Sequence, residues 1–484
     1  MKTFKSIIFA LFAMFALNAN AQSNFIGSGL MLNFDGNADN YYDLGDNYNT
    51  LNFPVTFEAW VYQEGYSLYT PVFATDSYTS GNYYGLYVRF DPTGKLIFEI
   101  GNGAGAGGAH RRGKITSTTA PLNEWIHIAI VANSITDIKF YFNGVLQACV
   151  NTDGTATNTS IPHNSNPVNL GRYATVHRSD AFIGKLDEVR LWNIARTETE
   201  IRDKMCEKLT ATESGLIGYW IVDENTTDPT LEDYSVSNVN GTEIGEVVKM
   251  NSGAPIGDIS VFNYTADYTG ISLSLNSPGG DKLKINKIAN LPYGVHLYRV
   301  NSAPASIIGL NENPNYYFGV FSADNGIDAK YTLTYTYSYS NGVATAINET
   351  DATLYKRLDG SLNSWNFQPA TLTVATKRLT KKNFSGRSEF IFNIEAPNGA
   401  KMAVAEKLAL NAYPQPASYF VNFNNFVPNE NVQIFDLSGR TIENVRTDCD
   451  GKLMINVADY PNGIYIAKQN YYDLQQGIKF VVQH

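Results

Sequence analysis

Cysteine is scarce in this chain: three among 484 residues, Cys149, Cys206 and Cys449. So few exclude a disulfide-dense scaffold, and their spacing fits no metal knuckle. Only six histidines occur, none of them as His-x-x-x-His. Charge is thin as well, 17% of residues, and the balance is acidic, with a net charge of −10. A protein that grips phosphate backbones needs a basic surface, so nucleic acid is excluded as a partner. Beyond the first residues no stretch reaches the ~18 apolar residues of a spanning helix, and no transmembrane segment is expected. Solenoid repeats are absent, and helical periodicity is nearly so.

Aromatics are present in quantity, 13% of residues, together with 39 glycines and a hydrophobic share of 44%. Aromatic side chains favour pleated surfaces and glycine tolerates positive φ, so the mixture suits short strands joined by tight turns around real cores. Residues 1–21 read as a secretory signal peptide: Lys2 and Lys5, an apolar run from Ile7 to Leu17, then the small residues Ala19-Asn20-Ala21. Its removal takes away two lysines and no acids, which leaves a net charge of −12. Export permits disulfides. Either Cys149 bonds Cys206 and leaves Cys449 free, or all three stay inert thiols.

Three zones follow the signal peptide, and all are strand-like. In residues 24–250, alternating runs fall at 30–34, 55–63, 83–90, 96–101, 125–132, 138–142 and 182–192. Val55, Phe57, Ala59 and Val61 share one face of their strand, and Glu58, Trp60 and Tyr62 share the other. One helix is expected after Thr197, which with Glu200 forms a capping-box pattern. Residues 257–395 read as a second sandwich, with strands at 331–339 and 389–394. The Thr/Tyr alternation of the first suits one buried and one solvated face. Residues 405–484 hold a small third set at 431–436, 453–457, 463–469 and 477–482. The fold class is all-β, with several domains.

Two zones carry motifs that match known families. Leu32-Asn-Phe-Asp-Gly36, Phe57-Glu-Ala-Trp-Val61, Trp125-Ile-His-Ile-Ala129, Phe140-Tyr-Phe-Asn-Gly144 and Leu170-Gly-Arg172 occur in order. Then comes Phe182-Ile-Gly-Lys-Leu-Asp-Glu-Val-Arg-Leu-Trp-Asn-Ile-Ala-Arg196, followed by Gly215-Leu-Ile-Gly-Tyr-Trp220. This zone resembles the LamG-like (laminin G, concanavalin A-like lectin/glucanase) jelly-roll module. Residues 405–484 resemble the C-terminal sorting domain of the Bacteroidetes type IX secretion system. The carrying residues there are Ala412-Tyr-Pro-Gln-Pro-Ala-Ser418, Ile434-Phe-Asp-Leu-Ser-Gly-Arg440, Pro461-Asn-Gly-Ile-Tyr-Ile466 and Lys479-Phe-Val-Val. Gln415 departs from the usual Asn. This second resemblance implies the type IX machinery as a partner. It also implies removal of the domain, then release or attachment to the outer cell surface. Residues 257–395 match only a generic immunoglobulin- or fibronectin-like sandwich.

The jelly-roll resemblance implies three further points. Its relatives include glycoside hydrolases, which set two carboxylates across one bond. No Glu-x-Asp-x-x-Glu run occurs here. Asp187 and Glu188 are neighbours and so are expected on opposite faces, and Glu58 and Glu99 stand alone on their strands, so no catalytic residues are assigned. Glu58, Trp60, Arg190 and Trp192, on the faces opposite the apolar sets, stand as carbohydrate-binding candidates or as a structural pair under aromatic cover. The structural reading is preferred. Other aromatic candidates are Tyr66, Tyr69, Tyr78, Tyr83 and Tyr84, and the glycine run 101–108 is expected as a mobile rim. In the resembled families a structural Ca²⁺ often ties the first strand to the last major one, which implies Asp35 and Asp187 as ligands. The expected function is non-catalytic binding of a polysaccharide or of a cell-surface glycan or protein. A glycoside hydrolase using the jelly-roll groove is the alternative, and a structural surface-layer component a third reading.

Overall fold

The computed structural model describes residues 27–395 and 410–484, apart from 67–68, 77–80, 174–179, 224–225, 325, 425, 427–430, 448–451 and 472–473, and the side chains of 470–476. The signal-peptide reading, Tyr78 and Cys449 lie outside the described residues. The chain divides into two units, Met1–Glu395 and Ala396–His484.

Alternation builds the first sheet of the larger unit. In strand Val55–Gln63 the side chains of Val55, Phe57, Ala59 and Val61 enter one apolar core, and Glu58 and Trp60 take the other face. Around it runs an eight-stranded sheet in the order Val145–Gln147, Ile138–Phe142, Trp125–Ala132, Val55–Gln63, Ile183–Trp192, Leu30–Asp35, Val248–Asn251, with Leu216–Trp220 also paired to Ile183–Trp192. A nine-stranded sheet closes the same core with Leu86, Val88, Phe90, Leu96, Phe98 and Ile100. This is the jelly roll.

The helix Glu198–Lys204 starts where its sequence predicts. Thr197 accepts from the Glu200 N–H, and the Glu200 carboxylate accepts from the Thr197 N–H at 2.7 Å. Ile201 is its buried residue, packed on Ala129, Val131 and Tyr141 on the outer face of the eight-stranded sheet.

The second sandwich belongs to the same unit. It pairs a six-stranded sheet (Ile259–Asn263, Gly294–Val300, Tyr317–Ala323, Ser388–Ile394, Ala352–Arg357, Asn366–Gln368) with a five-stranded one (Ser272–Asn276, Lys282–Ala289, Lys330–Thr336, Arg378–Ser385, Thr371–Thr373). In strand Lys330–Thr336 the tyrosines and Leu333 face the core and the threonines stay partly exposed, as the alternation predicts. Strands Tyr317–Ala323 and Ser388–Ile394 are buried along their whole length. Phe318, Val320, Phe390 and Phe392 meet the five-stranded sheet, while Tyr317, Phe321 and Ile391 meet Met31, Trp60 and Trp125 of the jelly roll. Four sheets therefore stack with three apolar layers between them.

The smaller unit is a sandwich of three strands (Asn411–Tyr413, Phe420–Asn424, Leu453–Asn456) and four (Thr441–Arg446, Asn431–Asp436, Gly463–Tyr471, Leu474–Val482) around Phe423, Ile434 and Phe480. Its first and last motifs are hydrogen-bonded to each other. The Ala417 N–H donates to the Val481 carbonyl at 2.8 Å, and the Gln483 N–H to the Ala417 carbonyl at 2.9 Å.

Candidate functional site

The four candidate sugar-binding residues do share the outer side of the eight-stranded sheet, but that side is covered. Glu58 and Arg190 are wholly buried, as are Trp60 and Trp192 to within 2%. The Trp60 indole N–H donates to the Met205 carbonyl at 2.7 Å, and its ring lies edge-on to Phe321 of the second sandwich. Trp192 packs with Leu209, Leu216 and Tyr219, under the Arg196 guanidinium at 4.2 Å. No sugar reaches these rings. The preferred structural reading describes them, and the platform reading is corrected.

The charged groups on this side pair with one another, although Glu58 Oε2, Glu188 Oε1 and Arg190 Nε lack hydrogen-bond partners among the described residues. Glu58 accepts from Arg196 at 2.6 Å, and Arg190 holds Glu188 at 2.7 Å while donating to the Lys204 and Glu207 carbonyls. Burial, reinforced by Arg190 and Arg196, holds His127 well below its ordinary value, so this ring is neutral. A β-bulge with Glu188 at φ 51° puts Asp187 and Glu188 on one side, not opposite sides as their adjacency suggested. Leu186, Val189 and Leu191 enter the core, an offset of three and then two that already marks the extra residue.

The implied calcium pair does not converge. In the register of Leu30–Asp35 against Ile183–Trp192, Asp35 faces Ile183, four residues before Asp187. That separates the two acids by about 13 Å of strand. Asp187 accepts from Ser252 Oγ at 2.6 Å. Burial, then Glu188 and Asp223, push its carboxyl well above the usual range, which favours the protonated form and makes it a poor ligand for a hard cation. Asp35 instead caps a turn, accepting from the Asn37 N–H at 2.8 Å. These residues do not fit a shared ion.

Both described cysteines are free thiols, which corrects the expected Cys149–Cys206 bond. Cys149 opens an edge strand of the nine-stranded sheet and packs toward the jelly-roll core. Cys206 is buried beyond the eight-stranded sheet with Trp60 and Met205. A sheet lies between them.

The outer side of the nine-stranded sheet carries a second charged array; its Arg89 and Glu99 are also buried, while Tyr69 and Asp153 reach solvent. Leu86, Val88 and Phe90 point into the core, so Tyr87 and Arg89 point outward; Glu99 does the same on the neighbouring strand Lys95–Gly101. Arg89 pairs with Glu99 and donates to the Tyr173 hydroxyl at 2.7 Å. Glu99 also meets Arg111 at 3.3 Å, and Arg111 bonds Asp153 at 2.8 Å. A charged ladder thus crosses three strands and a loop. Tyrosines lie over it: the Tyr69 ring is 4.3 Å from the Arg89 guanidinium, and the Tyr83 ring 5.8 Å from that of Arg111. The glycine run is tied down, since the Gly103 N–H donates to the Tyr83 carbonyl and the Tyr83 N–H to that of Gly105. A Cβ at Gly101 would strike the Tyr83 carbonyl. Of the aromatic candidates, Tyr69 and Tyr83 reach the ladder, while Tyr66 donates to the Ala120 carbonyl at the sheet edge and Tyr84 packs beside Gly103.

The sequence alone does not single out the charged residues of this ladder as a site. The available signal was the hairpin of Leu86–Phe90 and Lys95–Gly101, whose apolar triads leave one arginine and one glutamate on the same outer face.

Two packed antiparallel sheets around one apolar core define a jelly-roll sandwich. Residues 35–202 match the concanavalin A-like lectin/glucanases superfamily, and residues 411–483 match the secretion system C-terminal sorting domain. The chain carries both domains, and the second marks it for type IX export to the cell surface or beyond. Among solved structures it is similar to a Bacteroides ovatus protein described as carbohydrate-binding, with 22% identity over 48% of this chain and 62% of that one and a TM-score of 0.36. It is also similar to the SAP-like pentraxin of Limulus polyphemus, with 13% identity over 36% and 81% and a TM-score of 0.27. A third is the CBM40 of Ruminococcus gnavus IT-sialidase bound to α2,3-sialyllactose, with 11% identity over 36% and 97% and a TM-score of 0.29. The chain spans less than two thirds of the first of these proteins. Comparison with curated proteins finds no match.

Proposed function

We propose that this protein is an exported, non-catalytic glycan-binding protein whose jelly roll engages polysaccharide on the outer side of its nine-stranded sheet. The observation that supports it is the solvent-facing end of the ladder, where Tyr69 and the Arg111–Asp153 pair lie exposed or half-exposed above the buried Arg89–Glu99 pair. Aromatic faces suit sugar C–H surfaces, and fixed charged groups suit hydroxyls. Hydrolysis fits less well. A general acid needs a raised pKa, whereas the hydrogen bond from Arg111 holds Asp153 below the usual carboxylate range. The role that follows is adhesion, or retention of polysaccharide near the cell that exports it.

A polysaccharide array probed with the full chain, alongside a reducing-end assay, tests this. Binding without released ends is expected, weakened at least tenfold in Tyr69→Ala. Reducing ends that disappear in Glu99→Gln would establish the hydrolase reading instead.

A further inference from the structure

The second sandwich carries a surface that the jelly-roll reading does not use. The five strands of its outer sheet contain seven Lys or Arg residues and not one Asp or Glu. This occurs in a chain with a net charge of −10. Residues 257–395 as a whole hold 12 basic against 11 acidic residues, so the charge of the chain changes sign locally. None of the seven makes an ion pair among the described residues, although like charges gathered on one sheet repel.

Register places the charges among hydroxyls. One row across the five strands reads Asn276, Lys282, Thr336, Arg378, Thr373, and the next row holds Lys284 beside Thr334 and Thr380. Strands lie about 4.8 Å apart, so Lys282 and Arg378 stand about 10 Å apart with a threonine between them. The inward partners of these residues, Leu283, Tyr335 and Leu379, are buried, which fixes the outer set as a polar face. At its edge an open cavity of about 510 Å³ lies between Pro369–Thr371 and Thr380–Lys382.

We propose that this face binds an acidic polysaccharide, a linear chain bearing uronate or sulfate groups laid across the strands. Cationic groups in regular rows meet repeated carboxylates or sulfates, and the Ser and Thr hydroxyls between them both donate to and accept from sugar hydroxyls. The two rows carry no apolar side chain to enter a lipid boundary, which separates this surface from a membrane-docking one. The proposal does not rest on the jelly-roll site, which lies at the opposite end of the four-sheet stack.

Affinity electrophoresis of the full chain in polygalacturonate, with its methyl ester as the uncharged counterpart, tests the assignment. Retardation by the acid form alone is expected, and it should weaken as salt rises. Lys284→Gln combined with Arg378→Gln should weaken the apparent Kd tenfold or more with an unchanged melting temperature, while Lys139→Gln on the jelly roll changes nothing. Equal retardation by the methyl ester overturns the proposal. So does full binding by the double variant, loss of binding in Tyr69→Ala instead, or a preference for phosphatidylglycerol vesicles over the polysaccharide.

Discussion

Arg196 and Glu58 show what a charged residue does inside this molecule. Both are buried and joined at 2.6 Å, so removing one partner leaves an uncompensated charge. Arg196→Met is expected to cost about 3–5 kcal/mol in urea denaturation, with glycan binding by the remaining folded protein intact. Asp223 offers a pH test. Burial raises its carboxyl to about 7 against the opposing pull of Lys208 at 2.6 Å. A carboxyl raised on folding adds stability below its unfolded value of about 3.9, and that stability is lost as pH climbs through the folded value. The melting temperature should therefore fall from about pH 4 to about pH 8, and Asp223→Asn should flatten the slope. An identical slope in the variant would refute the assignment. The buried Cys206 thiol, pushed up by burial, should react only on unfolding, whereas half-exposed Cys149 reacts in the native protein. Mass spectrometry after alkylation without reductant checks this. That Glu58 and Trp60 share a face was legible from period-two alternation. What covers that face was not, because the cover comes from residues such as Phe321, far along the chain.

Elements with a local cause are the most legible in the sequence. The helix Glu198–Lys204 follows from its capping box, and strands Val55–Gln63, Trp125–Ala132 and Ile138–Phe142 follow from uninterrupted alternation. Short strands such as Tyr41–Asp43 and Asn169–Leu170 leave no mark in the sequence, since two or three residues hold no period and exist only by pairing with neighbours. The bulge at Glu188 breaks the strict alternation that the adjacency of Asp187 and Glu188 implies. The helix yields a graded prediction. Thr197→Ala should cost about 1 kcal/mol through the lost cap, and Ile201→Ala about 2–4 kcal/mol through the cavity left against Ala129, Val131 and Tyr141. Equal costs, measured by denaturant midpoint, would argue that the helix does not seal the sheet.

The whole molecule divides differently from its motifs. Three zones are visible in composition, but the jelly roll and the second sandwich share an apolar layer containing Trp60, Trp125, Tyr317 and Phe321. They should melt in one calorimetric transition, and a chain ending at residue 256 should aggregate, because that layer would face water. Deleting residues 405–484 should leave that transition in place while the protein accumulates in the periplasm; normal levels outside the cell would refute the sorting role. The order of the four sheets has a mechanical corollary. Sheets pack about 10 Å apart, so the two outermost faces stand back to back at roughly 30 Å and look in opposite directions. A single straight polymer cannot lie on both at once. A molecule that holds a strand on each side is a cross-link, and a few of them per chain would turn a viscous solution into a gel.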